Sequence, residues 1–222
     1  MANASFTRDE VILALDVFYS AGSNPLNNDS PLIVSLSELL NRLPIHSARG
    51  QKETFRNCSG VSTQIARFRR GLISQERAEH VGNLFFEVEA EFKERHTELH
   101  AIAEAIRRNE PYYEGFSFGN EIEAQKFPEG ALLSHLHRMI ETRDGEKHPK
   151  GERCAICQIK LSDIYSSSAE LISNHLLVPL TQLDGSNKYS ASDYISVCPT
   201  CHAALHRFRP WLTRETCGDI LR

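Results

Sequence analysis

The sequence predicts an α+β protein: a helical N-terminal half, then a smaller C-terminal domain of short strands and helices. Three observations carry that reading. The first 110 residues break into capped segments with apolar residues at helical spacing. Residues 111–130, PYYEGFSFGNEIEAQKFPEG, hold three glycines, two prolines and several aromatics with no sustained period, so they read as a partly packed connector. Beyond them, two Cys-x-x-C pairs, Cys154/Cys157 and Cys198/Cys201, bracket a 40-residue insert.

Taken in order, TRDEVILALDVFYSAG opens with Thr7 and Glu10 in capping-box spacing and stops near Gly22. SLSELLNRLP repeats the arrangement with Ser35 and Glu38, and Pro44 ends it. GVSTQIARFRRG is a short helix bounded by Gly60 and Gly71. Residues 74–109 form a long helical stretch with a break expected near Gly82, and ALLSHLHRMIETRD adds an amphipathic helix after the connector. Internal repeats and low-complexity tracts are absent from the sequence.

The chain of 222 residues has no apolar run of the roughly 18–20 residues a membrane helix needs, so no membrane partner is expected. Its first ten residues lack the basic and apolar regions of a signal peptide, and a cytoplasmic location is the expectation. The net charge of −4 does not advertise a polyanion binder, but the charge is unevenly spread. Residues 45–75 carry six basic groups against Glu53 alone, whereas residues 76–126 hold twelve acidic and six basic groups. Local patches decide phosphate contacts, although a basic stretch is equally a solvated helix face.

In a cytoplasmic chain, paired Cys-x-x-C motifs favour a metal over disulfides. Two such knuckles supply the four thiolates of a closed tetrahedral site, so structural zinc held by Cys154, Cys157, Cys198 and Cys201 is expected. Cys58 and Cys217 stand alone and read as buried thiols. Immediately after the second knuckle, His202 and His206 sit at i, i+4, on one face of a helix. Zinc held by four cysteines has no vacancy for them, so they imply a second ion. The stretch ELISNHLLVPL adds Asn174 and His175, read either as part of that second centre or as the polar tip of a turn. Asp193 lies nine residues before His202 and completes a strand, loop, strand, helix order.

The text CAIC … SNHLLVPL … DYISVCPTCHAALHR over residues 154–207 resembles the HNH (ββα-metal) endonucleases that carry a zinc-knuckle pair, most of all the bacterial McrA-like restriction endonucleases. That group reads approximately C-x-x-C … V-H-H-I-x-P-L … D-L-x-x-L-C-x-x-C-H-x-x-x-H. The upstream FPEGALLSHLHRMIETRD and the helical text of the first half are also similar to segments found ahead of such modules. The resemblance implies a helical DNA-recognition domain over 1–110, the connector over 111–130 and an HNH nuclease domain over 131–222. It implies hydrolysis of DNA phosphodiesters, in restriction or phage defence and possibly on modified DNA. His175 matches the general base and Asp193 the residue that pins the loop and orients it. Asn174, His202 and His206 match ligands of a catalytic divalent ion, Mg2+, Mn2+ or another. Asn174 departs from the usual His or Asp, and a neutral amide is a weaker ligand. Each HNH centre cuts one strand, so double-strand cleavage implies a homodimer.

Candidate DNA contacts are Arg56, Gln64, Arg67 and Arg70 in the basic stretch, and Lys188, Arg207 and Arg209 near the proposed centre. Gln and Arg are the side chains that read adenine and guanine edges, and Gln64, Arg67 and Arg70 recur at i, i+3, i+6. The bland readings are a basic helix end and a solvated rim. His46 could touch phosphate, His135 and His137 read as surface or packing residues, and Trp211 as core. Two other functions remain open: a zinc-knuckle nucleic-acid-binding protein with an inactive centre, and a nicking or maturation nuclease of a mobile element.

Overall fold

A computed structural model describes residues 4–22, 24–46, 53–74, 83–116, 126–166 and 171–221. The expected break near Gly82, the cations Arg49 and Lys52 and the middle of the connector lie outside those residues. The chain divides into two compact units, Met1–His135 and Leu136–Arg222. The architecture is mixed, mostly helical with one two-stranded sheet. Among the described residues, no helix is long and apolar enough to cross a membrane.

The N-terminal unit packs α1 (Arg8–Ala21), α2 (Pro31–Arg42), α3 (Cys58–Ser74), α4 (Asn83–Phe92) and α5 (His96–Arg108) around a common core. Helix α1 begins as its sequence requires: Thr7 caps it, and Glu10 reaches back to the Thr7 N–H at 2.8 Å. Val11 to Leu15 are all buried, so α1 runs through the centre of the unit rather than over its surface. That position also buries Arg8, Asp9 and Glu10, and each is paired. Arg8 meets Glu91 at 2.7 Å, Glu10 meets Arg56 at 2.6 Å, and Asp9 accepts the N–H groups of Ala131 and Leu132. The last contact fixes a glycine: a Cβ on Gly130, whose φ is +77°, would lie 2.5 Å from Asp9 Oδ1.

Two helix starts differ from expectation. Helix α2 begins at Pro31, where the ring presets the first helical φ, so Ser35 lies inside the helix instead of capping it. Helix α3 begins two residues before Gly60, because the Asn57 carboxamide accepts the Gly60 N–H at 2.8 Å. Phe68 of α3 stacks on Phe85 of α4 at 3.9 Å, and both are fully buried.

Helix α6 (Gly130–Asp144) carries the division between the units, which falls at His135/Leu136 rather than in the glycine-rich connector. In the C-terminal unit, β1 (Ser173–Leu176) pairs antiparallel with β2 (Tyr194–Val197), and α7 (Pro199–Leu205) follows directly. The order is therefore strand, strand, helix. Ile156, Leu161, Ile172, Ile195, Val197, Leu205 and Leu212 form its core together with the knuckle cysteines Cys154, Cys198 and Cys201. The register sets Asn174 opposite Ser196 and His175 opposite Ile195. Because neighbouring strand residues face opposite sides of a sheet, Asn174 and His175 are sent in different directions.

Candidate functional site

Four cysteines converge as expected. The sulfurs of Cys154, Cys157, Cys198 and Cys201 all lie within 4.8 Å of one another. The Cys157 and Cys198 sulfurs are 3.8 Å apart, too far for a disulfide. A tetrahedron with Zn–S bonds of roughly 2.3 Å has an edge of about 3.8 Å, so the cage has the size of a zinc site. The first knuckle is a tight turn: Gln158 takes φ +63°, its N–H donates to the Cys154 carbonyl, and Cys154 N–H donates to the Ile159 carbonyl. Ala155 N–H donates to Ser196 O at 2.8 Å, tying that knuckle to β2. Burial raises the Cys154 thiol, but hydrogen bonds from the backbone at Cys198, Cys157 and Ile156 outweigh it and bring it down to about 7. Backbone donors aimed at a sulfur suit a thiolate ligand.

A second group stands in the same unit: Glu141 from α6, His175 from β1, and His202 and His206 from α7, again with ligand atoms within 4.8 Å. His202 Nε2 lies 3.1 Å from His206 Nε2 and 3.3 Å from Glu141 Oε2. Glu141 Oε2 is 3.0 Å from His206 Nε2, and Oε1 is 2.8 Å from His175 Nδ1. Zinc–nitrogen bonds of roughly 2.0–2.1 Å give a tetrahedral edge of about 3.3–3.4 Å, so these separations are close to those of one ion's ligands. Burial would raise Glu141, but the adjoining His137, His175, His202 and His206 rings hold it well below the usual carboxylate range. Burial holds His175 below the usual imidazole value, opposed by Glu141.

The surroundings orient this group. Ser173 Oγ lies 2.8 Å from His202 Nδ1, which leaves Nε2 directed at the cluster. Leu176 N–H donates to Glu141 Oε1 at 2.9 Å. His137, fully buried, donates from Nε2 to the Leu176 carbonyl at 2.8 Å, and burial draws its value down to about 3, so it is neutral. Its Nδ1 lies 3.6 Å from Glu141 Oε1 without a hydrogen bond. The rings of His137 and Trp211 meet edge to face at 4.7 Å, and the Arg209 guanidinium lies 5.1 Å from the Trp211 ring.

Several expected site residues stand elsewhere. Asn174 is buried on the other face of β1: its Nδ2 donates to the carbonyls of Gly145 and His148, and its Oδ1 accepts from Ser196. The amide is spent on holding the strand to the loop before the first knuckle. Asp193 does pin its loop, accepting from Ser190 N–H at 2.7 Å and Ser190 Oγ at 2.8 Å, but its carboxylate makes no contact with His175 among the described residues. His175 is 1% exposed and lies beside Glu141.

Arg56 is also reassigned. It is 5% exposed, and its guanidinium is bound to Glu10 and to the carbonyls of Ala4 and Ser5, so its charge is already met by a buried carboxylate. His46 is held by the same Glu10 at 3.0 Å. Gln64 and Arg67 are half-buried on α3, and Arg70 is exposed. Lys188 and Arg207 are exposed, and Arg209 donates to the carbonyls of His206 and Phe208.

Glu141 is the ligand candidate the sequence reading missed. The available signal was the i, i+4 pair His137/Glu141 placed beside Leu136 and Ile140, two polar groups on the apolar stripe of a helix. No family model, no curated protein and no solved structure matches this chain.

Proposed function

We propose that the C-terminal unit is a zinc-stapled ββα metal domain that hydrolyses DNA phosphodiester bonds. The observation that carries the reading is the convergence of Glu141, His175, His202 and His206 where β1 meets α7, in a strand–strand–helix unit clamped by four cysteines. The donor chemistry fits a borderline divalent ion such as Zn2+, Ni2+, Co2+ or Mn2+ better than Mg2+, because three of the four donors are imidazoles. Bound there, the ion would lower the pKa of a water and stabilise charge on the scissile phosphate.

The residues around it would act as follows. His175, His202 and His206 would hold the ion, with the Ser173 hydroxyl bonded to His202 on its Nδ1 side. Glu141 is the one carboxylate of the cluster, and it is the group placed to accept a proton from the attacking water. Arg209 and Lys188 remain candidates for the DNA backbone, and a homodimer would be needed to cut both strands.

A second reading is favoured by the donor count. Four protein donors fill a tetrahedron, as in a structural site, and that would make the unit a two-metal DNA-binding module without hydrolytic activity. Plasmid cleavage separates the two. With Mn2+, Ni2+, Co2+ or Zn2+ supplied in turn, the wild-type protein should nick or linearise plasmid, and Glu141→Gln and His202→Ala should not. DNA binding without cleavage in every metal would establish the second reading.

A further inference from the structure

Helix α3 has two working faces. Val61, Ile65 and Phe68 are buried in the core of the N-terminal unit. Gly60, Thr63, Gln64 and Arg67 form the neighbouring stripe and line an open cavity of about 800 Å³ that Phe6 and Asn83 also line. We infer that this cavity receives an unpaired nucleobase of a DNA strand, read by Gln64 and Arg67.

Three features point to that ligand. The chain has 29 Asp and Glu residues, yet no carboxylate is among the described residues lining the cavity. An anionic sugar–phosphate can therefore follow the base in without meeting a like charge among them. Arg56 also borders the cavity, but Glu10 neutralises it, so Arg67 supplies the cationic donor. Arg67 Nη1 donates to Gln64 Oε1 at 3.4 Å, its one hydrogen bond among the described residues, which couples the two side chains. The rest of the wall is amide and hydroxyl, from Asn57, Asn83 and Thr63, and such groups pair with the donor and acceptor edges of a base.

Shape decides against ordinary groove reading. A helix that reads the major groove presents its side chains on a convex ridge. Gln64 and Arg67 instead stand in the wall of a concavity of the size that small ligands occupy. The base must come to them, as in enzymes that turn a nucleotide out of the stack.

The inference rests on the reading of DNA as substrate, and the test keeps the two separable. The full-length His202→Ala protein would be mixed with a duplex carrying 2-aminopurine opposite an abasic site, and with a fully paired control. Turning out an unpaired base costs less than turning out a paired one, so the abasic duplex should bind about tenfold tighter or more. Its fluorescence should change on binding. Thr63→Trp, a change at an exposed position that fills the cavity, and Gln64→Ala should each abolish that preference while leaving metal content and melting temperature unchanged. Equal binding of both duplexes, or a preference indifferent to both substitutions, would overturn the pocket and leave the nuclease reading untouched. Absence of binding to any duplex would overturn the pocket as well. Plasmid cleavage by the wild-type protein, measured separately, decides the nuclease reading in either case.

Discussion

The two metal-capable clusters of the C-terminal unit are built in opposite ways. In the cysteine cage, each pair of ligands comes from one four-residue segment, and backbone N–H groups of both knuckles, at Cys198, Cys157 and Ile156, donate to the Cys154 sulfur. In the Glu141 cluster the donors come from a helix, a strand and a second helix, spread over 65 residues of sequence. The cage is also chemically uniform, with four soft donors, and Cys154, Cys198 and Cys201 belong to the core that includes Ile156, Val197 and Leu205, while Cys157 is exposed. The mixed cluster is partly open, with the His202 and His206 side chains 23% and 15% exposed. A locally built cage anchored in the core by three of its four ligands suits stability. A cluster assembled from distant elements and left partly open suits exchange of a ligand.

That contrast can be broken most forcefully at the cage. Cys154→Ser should remove one tightly bound zinc and unfold the C-terminal unit, because the binding free energy of structural zinc, about 10–16 kcal/mol in zinc-finger peptides, doubles as folding energy. Metal analysis together with circular dichroism would check it, and a folded, zinc-loaded variant would contradict the assignment. His202→Ala should behave differently. It should lose the second ion and reduce any cleavage by at least about a hundredfold, the several kcal/mol expected of a lost metal, while the unit stays folded. Unfolding comparable to that of Cys154→Ser would erase the distinction between the clusters.

Two smaller effects sharpen it. Asn174→Ala should lower stability by about 1–3 kcal/mol through unpaired carbonyls at Gly145 and His148, with both metals retained. Loss of the second ion in that variant would return Asn174 to the ligand set. Ser173→Ala should weaken affinity for the second ion by about tenfold, since residues that orient a metal-binding histidine contribute on that scale. Titration with Zn2+ or Ni2+ in competition with a chelator would measure it, and an unchanged affinity would mean that the hydroxyl does not hold the His202 ring.

Much of the fold was legible because its causes are local. Thr7 and Glu10 announced the start of α1, the Cys-x-x-C pairs announced the knuckles, and His202/His206 announced one helix face. What misled was also local text read without its surroundings. Arg56 looked like a free cation until α1 brought a buried Glu10 against it. Asn174 looked like a ligand because it precedes His175, but the strand alternates its faces and pairs the amide with Ser196 instead.

The sequence by itself determined the capped start of α1, the two knuckles and the i, i+4 imidazoles, because each is set by residues within a few positions of one another. Only the tertiary structure decided that Glu141 joins His175, His202 and His206, that Asn174 does not, and that Gln64 and Arg67 face a cavity. Those outcomes depend on which side of a strand or helix meets its neighbour. In this chain that is fixed by the packing of α6, β1 and α7, and of α3 against the core of its own unit, rather than by any residue's neighbours in sequence.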